Sequence, residues 1–184
     1  MKHSQTEEAL LHIVRFWNDA GPGKWFAKDD AFDAELRARF FDEHLAAARR
    51  EREAMLDHAD GALAVILLLD QVPRNVFRDS AHAFATDPLA REYAQRAIAA
   101  GFDQQVDSTL RIFFYLPFEH SEALADQDRA VALCEALGDV NYIKYAKAHR
   151  DVIRRFGRFP HRNQALARVN TAEEQDWLDA GGGF

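Results

Sequence analysis

Residues 149–163 read HRDVIRRFGRFPHRN and concentrate arginine in an otherwise acidic chain. From His149 to Arg168 there are six Arg, one Asp and no Lys, a local charge of +5 against a net charge of −7 for the whole protein. A planar guanidinium can hold a carboxylate or a phosphate through two parallel hydrogen bonds. The segment therefore predicts a polar site lined by arginine, although it names no reaction.

The same stretch contains the end of one helix and lies between two others. An apolar stripe at helical spacing leads into it, formed by Tyr142, Tyr145, Ala146, His149, Ile153 and Phe156. Gly157 predicts where this helix ends. Downstream, Thr171-Ala172-Glu173-Glu174 has the pattern of a capping box, which opens a last short helix. Upstream, Ser121 is expected to cap a helix that ends at Gly138.

The N-terminal part of the chain also reads as helices separated by turns. Ser4-Gln5-Thr6-Glu7 is another capping-box pattern, and the helix that it opens is expected to reach about Asp19. Asp29 or Asp30 is the expected cap of the next long helix, which should reach about Arg50.

The most apolar piece of the chain is Gly61–Val72. Periodicity alone does not distinguish a buried strand from a buried helix here, but no other segment offers a partner strand, so a helix is favoured. Pro73 lacks a backbone donor and restricts the residue before it, so the helix should end near Val72, with Arg74–Phe77 as a turn. Val106–Leu116 is predicted to be a further helix, closed by Pro117.

These patterns predict an all-α protein of about eight helices joined by short connections. At 184 residues, and with no linker or low-complexity tract, residues 1–184 are expected to form a single domain. A repeat of about 34 residues, the tetratricopeptide period, is not visible in the sequence, although antiparallel helix pairs of that size fit it.

Composition limits the partners and the compartment. The isoelectric point of about 5.6 argues against general nucleic-acid binding. The N-terminus lacks the layout of a signal peptide, and the longest apolar run, Ala62–Leu69, is too short to span a bilayer. The one cysteine, Cys134, is expected to be a buried, inert thiol in a reducing compartment. We therefore expect a soluble cytoplasmic protein with no nucleic-acid or membrane partner.

Asp70 is the first candidate for a functional site, because it lies on the apolar stripe of Leu63, Ile66 and Leu67. A buried carboxylate is costly unless it meets a cation, and the arginine-rich segment is the expected supplier. Asp70 is then either a structural ion-pair partner or part of a pocket at the end of its helix. His149 is similarly either a satisfied core residue or a proton acceptor.

Further polar residues lie on inward-facing stripes or beside helix breaks, in numbers that exceed what a plain core needs. The candidate catalytic residues are Asp70, His120, His149 and His161. The candidate ligand-binding residues are Gln71, Arg74, Asn75, Arg111, Tyr115, Arg154, Arg158, Arg162 and Asn163. Phosphate loops, nucleophile elbows and zinc or di-iron motifs are absent from the sequence, so no cofactor or metal is expected.

Several segments together resemble a known family. They are LLLDQVPRN at 67–75, RIFFYLPFEHSE at 111–122, LADQDR at 124–129, YAKAHRDVIRRFGRFPHRN at 145–163 and the final Gly183-Phe184. The chain resembles the mainly bacterial family catalogued as domain of unknown function 924. The resemblance implies an all-helical, tetratricopeptide-like fold and no established activity. Val72 stands where the family more often has Phe, and Met55 is near the place of a usual Trp.

Two functions fit these observations. The first is an enzyme or small-molecule binder that holds a small carboxylate or phosphate ligand in a pocket lined by Arg, His and Asp. The second is a tetratricopeptide-like scaffold that binds a peptide or protein partner, in which the polar residues form ion pairs and helix caps. The concentration of polar residues at helix breaks favours the first.

Overall fold

The structure is a computed structural model that describes the backbone of residues 2–184 and the side chains from residue 11 onward. All regular elements in that range are helical, which confirms the all-α class. The predicted capping box at Ser4–Glu7 involves side chains outside the described residues. No helix in the described range is long and apolar enough to cross a membrane.

The α-helices follow one another along the chain, and short helical turns lie in several of the longer connections. They are α1 (Lys2–Ala20), α2 (Pro22–Trp25), α3 (Asp30–Ala48), α4 (Ala59–Ile66), α5 (Val72–Val76), α6 (Asp87–Ala99), α7 (Leu116–Glu119), α8 (Leu124–Leu137), α9 (Val140–Phe156) and α10 (Ala172–Asp179). A π-helical turn, Leu67–Gln71, joins α4 to α5. Short 3₁₀ turns occur at Glu53–Asp57, Ala81–Phe84, Phe102–Gln104, Arg111–Phe114 and Pro160–Arg162.

The chain folds into two compact units. The first unit contains Met1–Arg78 and His82–Pro117, and the second contains Asp79–Ala81 and Phe118–Phe184. The expectation of a single domain stays a prediction, which a single cooperative unfolding transition would support.

An aromatic cluster and a fully enclosed helix form the core of the first unit. Trp17 of α1 meets Phe113 edge-to-face at 5.6 Å between ring centroids, and Trp25 meets the same ring at 5.0 Å. Such contacts add to the stabilisation from burial of the rings. Every side of α4 is covered, since all residues from Gly61 to Ile66 are buried. This burial on all sides explains why the sequence of α4 shows no amphipathic period.

Contrary to the prediction from Pro73, the helix does not end near Val72. The Val72 N–H donates to the Leu67 carbonyl five residues back, and helical structure then continues through Arg74 to Val76. The predicted Arg74–Phe77 turn is therefore wrong. The wider π turn lets the chain pass the missing donor of Pro73 without a break.

Side chains form hydrogen bonds with three backbone carbonyls of the π turn. His44 Nδ1 lies 2.8 Å from the Leu68 oxygen, and Thr86 Oγ1 donates to the Leu69 oxygen at 2.5 Å. Arg74 Nη1 donates to the backbone carbonyl oxygen of Asp70 at 2.7 Å. Buried carbonyls without such partners would be costly, so these contacts stabilise the irregular turn.

We expect Thr86→Val to lower the free energy of unfolding by about 1 kcal/mol, because the isosteric side chain leaves the buried Leu69 carbonyl without its donor. Urea denaturation measures this loss. Thr109→Val is the matched control, since the Thr109 hydroxyl donates to Asp107 in an exposed position. Equal losses in the two variants would contradict the role of Thr86 in the π turn.

The predicted helix at Val106–Leu116 is also wrong. The Asp107 carboxylate accepts hydrogen bonds from the Thr109 backbone N–H at 2.8 Å and from its hydroxyl at 2.7 Å. Such local bonds compete with helix formation. Only Arg111–Phe114 forms a 3₁₀ turn, and Pro117 lies in the first turn of α7 instead of ending a helix.

The second unit is built on the packed pair α8 and α9, and the turn glycines behave as predicted. Gly138 ends α8 and Gly157 ends α9, both in the left-handed region that favours glycine. The capping box at Thr171–Glu174 opens α10, as expected. Tyr145 is 53% exposed, so its assignment to the apolar stripe is wrong.

Ser121 does not occupy the capping position predicted for it, which belongs to Ala123. The Ser121 hydroxyl accepts from the Ala123 N–H at 3.2 Å and donates to Asp126 at 2.7 Å. It therefore fixes the start of α8 from two residues upstream of the cap.

Candidate functional site

The predicted site residues fall into two groups, one in each unit. The first unit holds Asp70, Gln71, Arg74, Asn75, Arg111 and Tyr115. The second unit holds His120, His149, Arg154, Arg158, His161, Arg162 and Asn163.

In the first group, Asp70 is fully buried within the π turn. Its carboxylate accepts a hydrogen bond from Gln71 Nε2 at 2.5 Å and lies 3.4 Å from Arg74 Nη1. Arg74 also holds Asp87 through two bonds of 2.7 and 2.8 Å. The buried carboxylate thus has a cation one helical turn away, and the ion pair supports the helix that carries it.

The other polar residues of this group also contact protein atoms. Asn75 Nδ2 donates to the Gln71 carbonyl at 3.0 Å, and Asn75 Oδ1 accepts from Arg78 at 2.9 Å. The Tyr115 hydroxyl donates to Asp103 at 2.7 Å. Burial, together with this bond, raises the pKa of Tyr115. Gln71, Asn75 and Tyr115 therefore each form hydrogen bonds with other protein groups.

Arg111 differs from its neighbours in the first group. It lies in the Arg111–Phe114 turn, and its Nε atom is buried without a hydrogen-bond partner among the described residues. Its positive charge acts on the Tyr115 hydroxyl and partly opposes the raised pKa of that group. Arg111 is therefore the member of this group whose hydrogen-bonding capacity the structure uses least.

In the second group, a buried histidine is paired with a buried carboxylate. His149 on α9 is 8% exposed, and Glu119 at the end of α7 is buried as well. His149 Nδ1 lies 2.9 Å from the Tyr145 carbonyl oxygen and 3.1 Å from Glu119 Oε1. A carbonyl oxygen only accepts, so Nδ1 carries the proton. In the neutral imidazole, Nε2 is then left as the proton acceptor.

The protonation state of His149 depends on opposing influences. Burial lowers its pKa, and the positive charges of His120, Arg162 and His161 act in the same direction. The bond to the Tyr145 carbonyl and the nearby Glu119 carboxylate favour the charged form. Because desolvation is the largest of these influences, we assign a lowered pKa and a neutral imidazole near pH 7.

Aromatic rings and further cations surround this pair. The Phe184 ring stacks on the His149 imidazole at 3.6 Å between centroids, and Phe159 meets it edge-to-face at 5.6 Å. The His161 ring lies 5.7 Å from that of Phe184. We call Glu119, His120, His149, Phe159, His161, Arg162 and Phe184 the His149 cluster.

Arg162 brings a permanent positive charge to the His149 cluster. Its guanidinium carbon lies 4.4 Å from the centroid of the Phe159 ring, and its Nη1 donates to the His120 carbonyl at 3.0 Å. Gln127 fixes the same turn, since its Nε2 lies 2.6 Å from the carbonyl oxygens of both Glu119 and Ser121. The Arg162 guanidinium and the Glu119 carboxylate are therefore both connected to the turn at residues 119–121, which Gln127 stabilises.

The remaining predicted residues of the second unit form ion pairs and hydrogen bonds with other protein groups. Arg154 lies 3.2 Å from Asp128 at the surface. Arg158 holds Glu174 through two hydrogen bonds of 2.6 and 2.7 Å, and this hydrogen bonding lowers the pKa of Glu174 to about 2. Asn163 Nδ2 donates to Asn170 at 2.8 Å. Arg154 thus connects α9 to α8, whereas Arg158 and Asn163 contact residues at the start of α10 or just before it.

Besides Phe159, sequence reasoning missed two members of the cluster that contact His149 directly, Glu119 and Phe184. Glu119 is 30 positions away along the chain, and no local spacing connects it to His149. Phe184 follows three glycines, a composition typical of a loop. Both residues occur in segments that carry the family resemblance, and that resemblance is the only signal that could have pointed to them.

Phe184→Ala should uncover the imidazole of His149 and speed its acylation by diethyl pyrocarbonate, which attacks neutral imidazole, several-fold at neutral pH. Peptide mass spectrometry of residue 149 measures the rate. Phe26→Ala is the matched control, since the two phenylalanines are 53% and 56% exposed. An unchanged rate in Phe184→Ala, or an equal rise in Phe26→Ala, would show that Phe184 does not shield the imidazole.

Comparison with known proteins shows the family and supports the fold. The family model described as a bacterial protein of unknown function, DUF924, matches residues 13–182. The chain belongs to this family. A solved structure of a protein of unknown function from Agrobacterium tumefaciens is 54% identical to it, with a TM-score of 0.90. The similarity covers 94% of this chain and 97% of that one. No curated protein matches the chain.

Proposed function

We propose that this DUF924 protein binds a small ligand that carries a carboxylate or a phosphate at the His149 cluster, and that His149 accepts a proton there. The observation that supports this most strongly is that His149 Nδ1 lies 3.1 Å from the buried Glu119 carboxylate. A carboxylate that holds one imidazole nitrogen fixes the tautomer and the ring orientation, so that the other nitrogen serves as the base.

Each member of the cluster has a part in this proposal. Glu119 positions His149, and His149 Nε2 accepts the proton. Arg162 holds the oxyanion, because a guanidinium presents several donors in one plane. His120 and His161 add positive charge or hydrogen bonds to the ligand. Arg154, Arg158 and Asn163 support the surrounding chain through their own partners.

The first unit contributes to this function through its stability. Asp70 and Arg74 form a buried ion pair, and Gln71 and Asn75 stabilise the π turn. Tyr115 holds the turn before α7 through its hydrogen bond to Asp103. We therefore assign the predicted catalytic role to His149 and a structural role to Asp70.

Thermal unfolding in the presence of inorganic phosphate, acetate or succinate tests the proposal. A ligand present at about 100 times its dissociation constant stabilises the folded state by about 2.7 kcal/mol. Arg162→Gln and His149→Gln should abolish the response, whereas Arg154→Gln should keep it, since Arg154 is half-exposed and paired with Asp128. An equal response in Arg162→Gln and the wild type would refute binding at the His149 cluster.

A second candidate function, the tetratricopeptide-like scaffold, is favoured by exposed apolar side chains on the α8–α9 pair. Leu124, Val140 and Tyr145 are all exposed, and Val140 most of all at 75%. Peptides selected from a random display library on the wild-type protein should lose binding to Val140→Ser and Tyr145→Ser if this surface is used. Retained binding in both variants would remove the scaffold hypothesis.

A further inference from the structure

Two imidazoles of the first unit approach each other closely at a place remote in sequence from the His149 cluster. His44 on α3 and His82 in the Ala81–Phe84 turn are 38 positions apart, and their Nε2 atoms lie 3.3 Å from each other. His44 is fully buried, whereas His82 is exposed. The pair therefore has one anchored ring and one ring that opens to solvent.

The hydrogen bond of His44 decides which of its nitrogens is available. His44 Nδ1 lies 2.8 Å from the Leu68 carbonyl, one of the backbone carbonyls of the π turn. Since the carbonyl accepts, Nδ1 is protonated and Nε2 presents its lone pair toward His82. An imidazole whose second nitrogen donates to a backbone carbonyl is the usual arrangement of a metal-ligating histidine.

The other ring is held by aromatic contact. His82 stacks on Phe77 at 3.8 Å between centroids with an angle of 7° between the planes. Phe77 also lies 5.7 Å from the His44 ring. Contacts with other groups thus position each of the two imidazoles. The fold therefore sets the distance between their Nε2 atoms.

That distance matches a metal site. Zinc–nitrogen bonds of about 2.0–2.1 Å at a tetrahedral angle separate two ligand nitrogens by about 3.3–3.4 Å. We propose that His44 and His82 form a two-imidazole site for a divalent transition-metal ion such as Zn²⁺ or Cu²⁺. Such ions accept imidazole readily, and Cu²⁺ should bind most tightly.

The remaining coordination positions fall to water. Within the described part of the chain, no cluster of three or more His, Cys, Asp or Glu side chains could hold a metal. Binding requires His82 to carry its proton on Nδ1, so the proton on its Nε2 moves to the other ring nitrogen through solvent. Two neutral imidazoles then bind the ion without net proton release. The bound ion would keep coordination positions at the protein surface that are occupied by exchangeable water.

Isothermal titration of the metal-free protein with Cu²⁺ and with Zn²⁺ tests this site. His82→Gln removes one of the two protein ligands and should weaken binding of both ions at least about tenfold. Because His82 is exposed, this variant should fold normally, and thermal unfolding without metal checks that. His12→Gln removes another exposed histidine and should leave the affinity unchanged.

The spectrum of the bound ion separates this site from any other. Electron paramagnetic resonance of the Cu²⁺ complex should show coupling to two nitrogens in the wild type and in His12→Gln, and a different spectrum in His82→Gln. Absence of stoichiometric binding, or binding that His82→Gln leaves unchanged in affinity and spectrum, would overturn the proposal.

Discussion

Asp70→Ala is expected to lower the free energy of unfolding by about 3–5 kcal/mol, the largest loss that we anticipate for a single substitution. The carboxylate is fully buried and lies 3.4 Å from Arg74, whose guanidinium is mostly buried as well. Removal of the carboxylate takes one of two carboxylates from Arg74, which keeps its bonds to Asp87 and to the backbone carbonyl of residue 70, and it leaves Gln71 Nε2 without its acceptor. The weaker compensation of a mostly buried guanidinium and the stranded amide donor both lower stability.

Urea denaturation gives the size of this loss, with the slope used to check that the unfolded state is unchanged. Asp70→Asn keeps the shape and an oxygen acceptor, so its loss should be smaller. Asp151→Ala is the surface control, with a side chain that is 68% exposed, and should change stability by less than about 0.5 kcal/mol. A loss below about 1 kcal/mol for Asp70→Ala would contradict the ion-pair role.

The second large effect is a dependence of stability on pH that His149 causes. Folding lowers the pKa of His149 below the value of about 6.5 that an exposed imidazole has. Below that pH, His149 binds a proton in the unfolded chain but not in the folded protein, so stability falls as the pH falls. Above it, both states are neutral and the difference disappears.

On acidification from about pH 7.5 to about pH 5, protonation linked to His149 should lower the free energy of unfolding of the wild type by about 2 kcal/mol. His149→Gln lacks this contribution, so its loss over the same range should be smaller by that amount. His44 contributes in the same direction, so the comparison is between the two proteins rather than within one. If the wild type instead gained stability relative to His149→Gln on acidification, His149 would be an imidazolium paired with Glu119.

Local signals in the sequence predicted the parts of the fold that short-range physics determines. Gly138, Gly157 and the Thr171–Glu174 capping box end or start helices as expected, because a left-handed residue or a cap acts within one turn. The path past Pro73 was not predictable in this way. It depends on His44 and Thr86, which are 24 and 17 positions from the carbonyls that they satisfy.

The same distinction between local and long-range contacts applies to the residues of the candidate site. His149 could be singled out because it lies on the buried stripe of α9. Its partner Glu119 and its cover Phe184 could not be assigned, since only the tertiary structure brings them together. Arg154 and Arg158 looked available in the sequence because their partners, Asp128 and Glu174, are 16 or more positions away.

The most direct test of anion binding at His149 is a long-range proton–nitrogen NMR spectrum of protein with isotope-labelled histidine, titrated with inorganic phosphate. Before the titration, His149 should show the tautomer protonated on Nδ1, as its bond to the Tyr145 carbonyl requires. During it, the Nε2 signal of His149 should shift and saturate, and Arg162→Gln should abolish the shift. A His149 signal that stays unchanged while phosphate stabilises the protein would place the anion elsewhere and contradict the account.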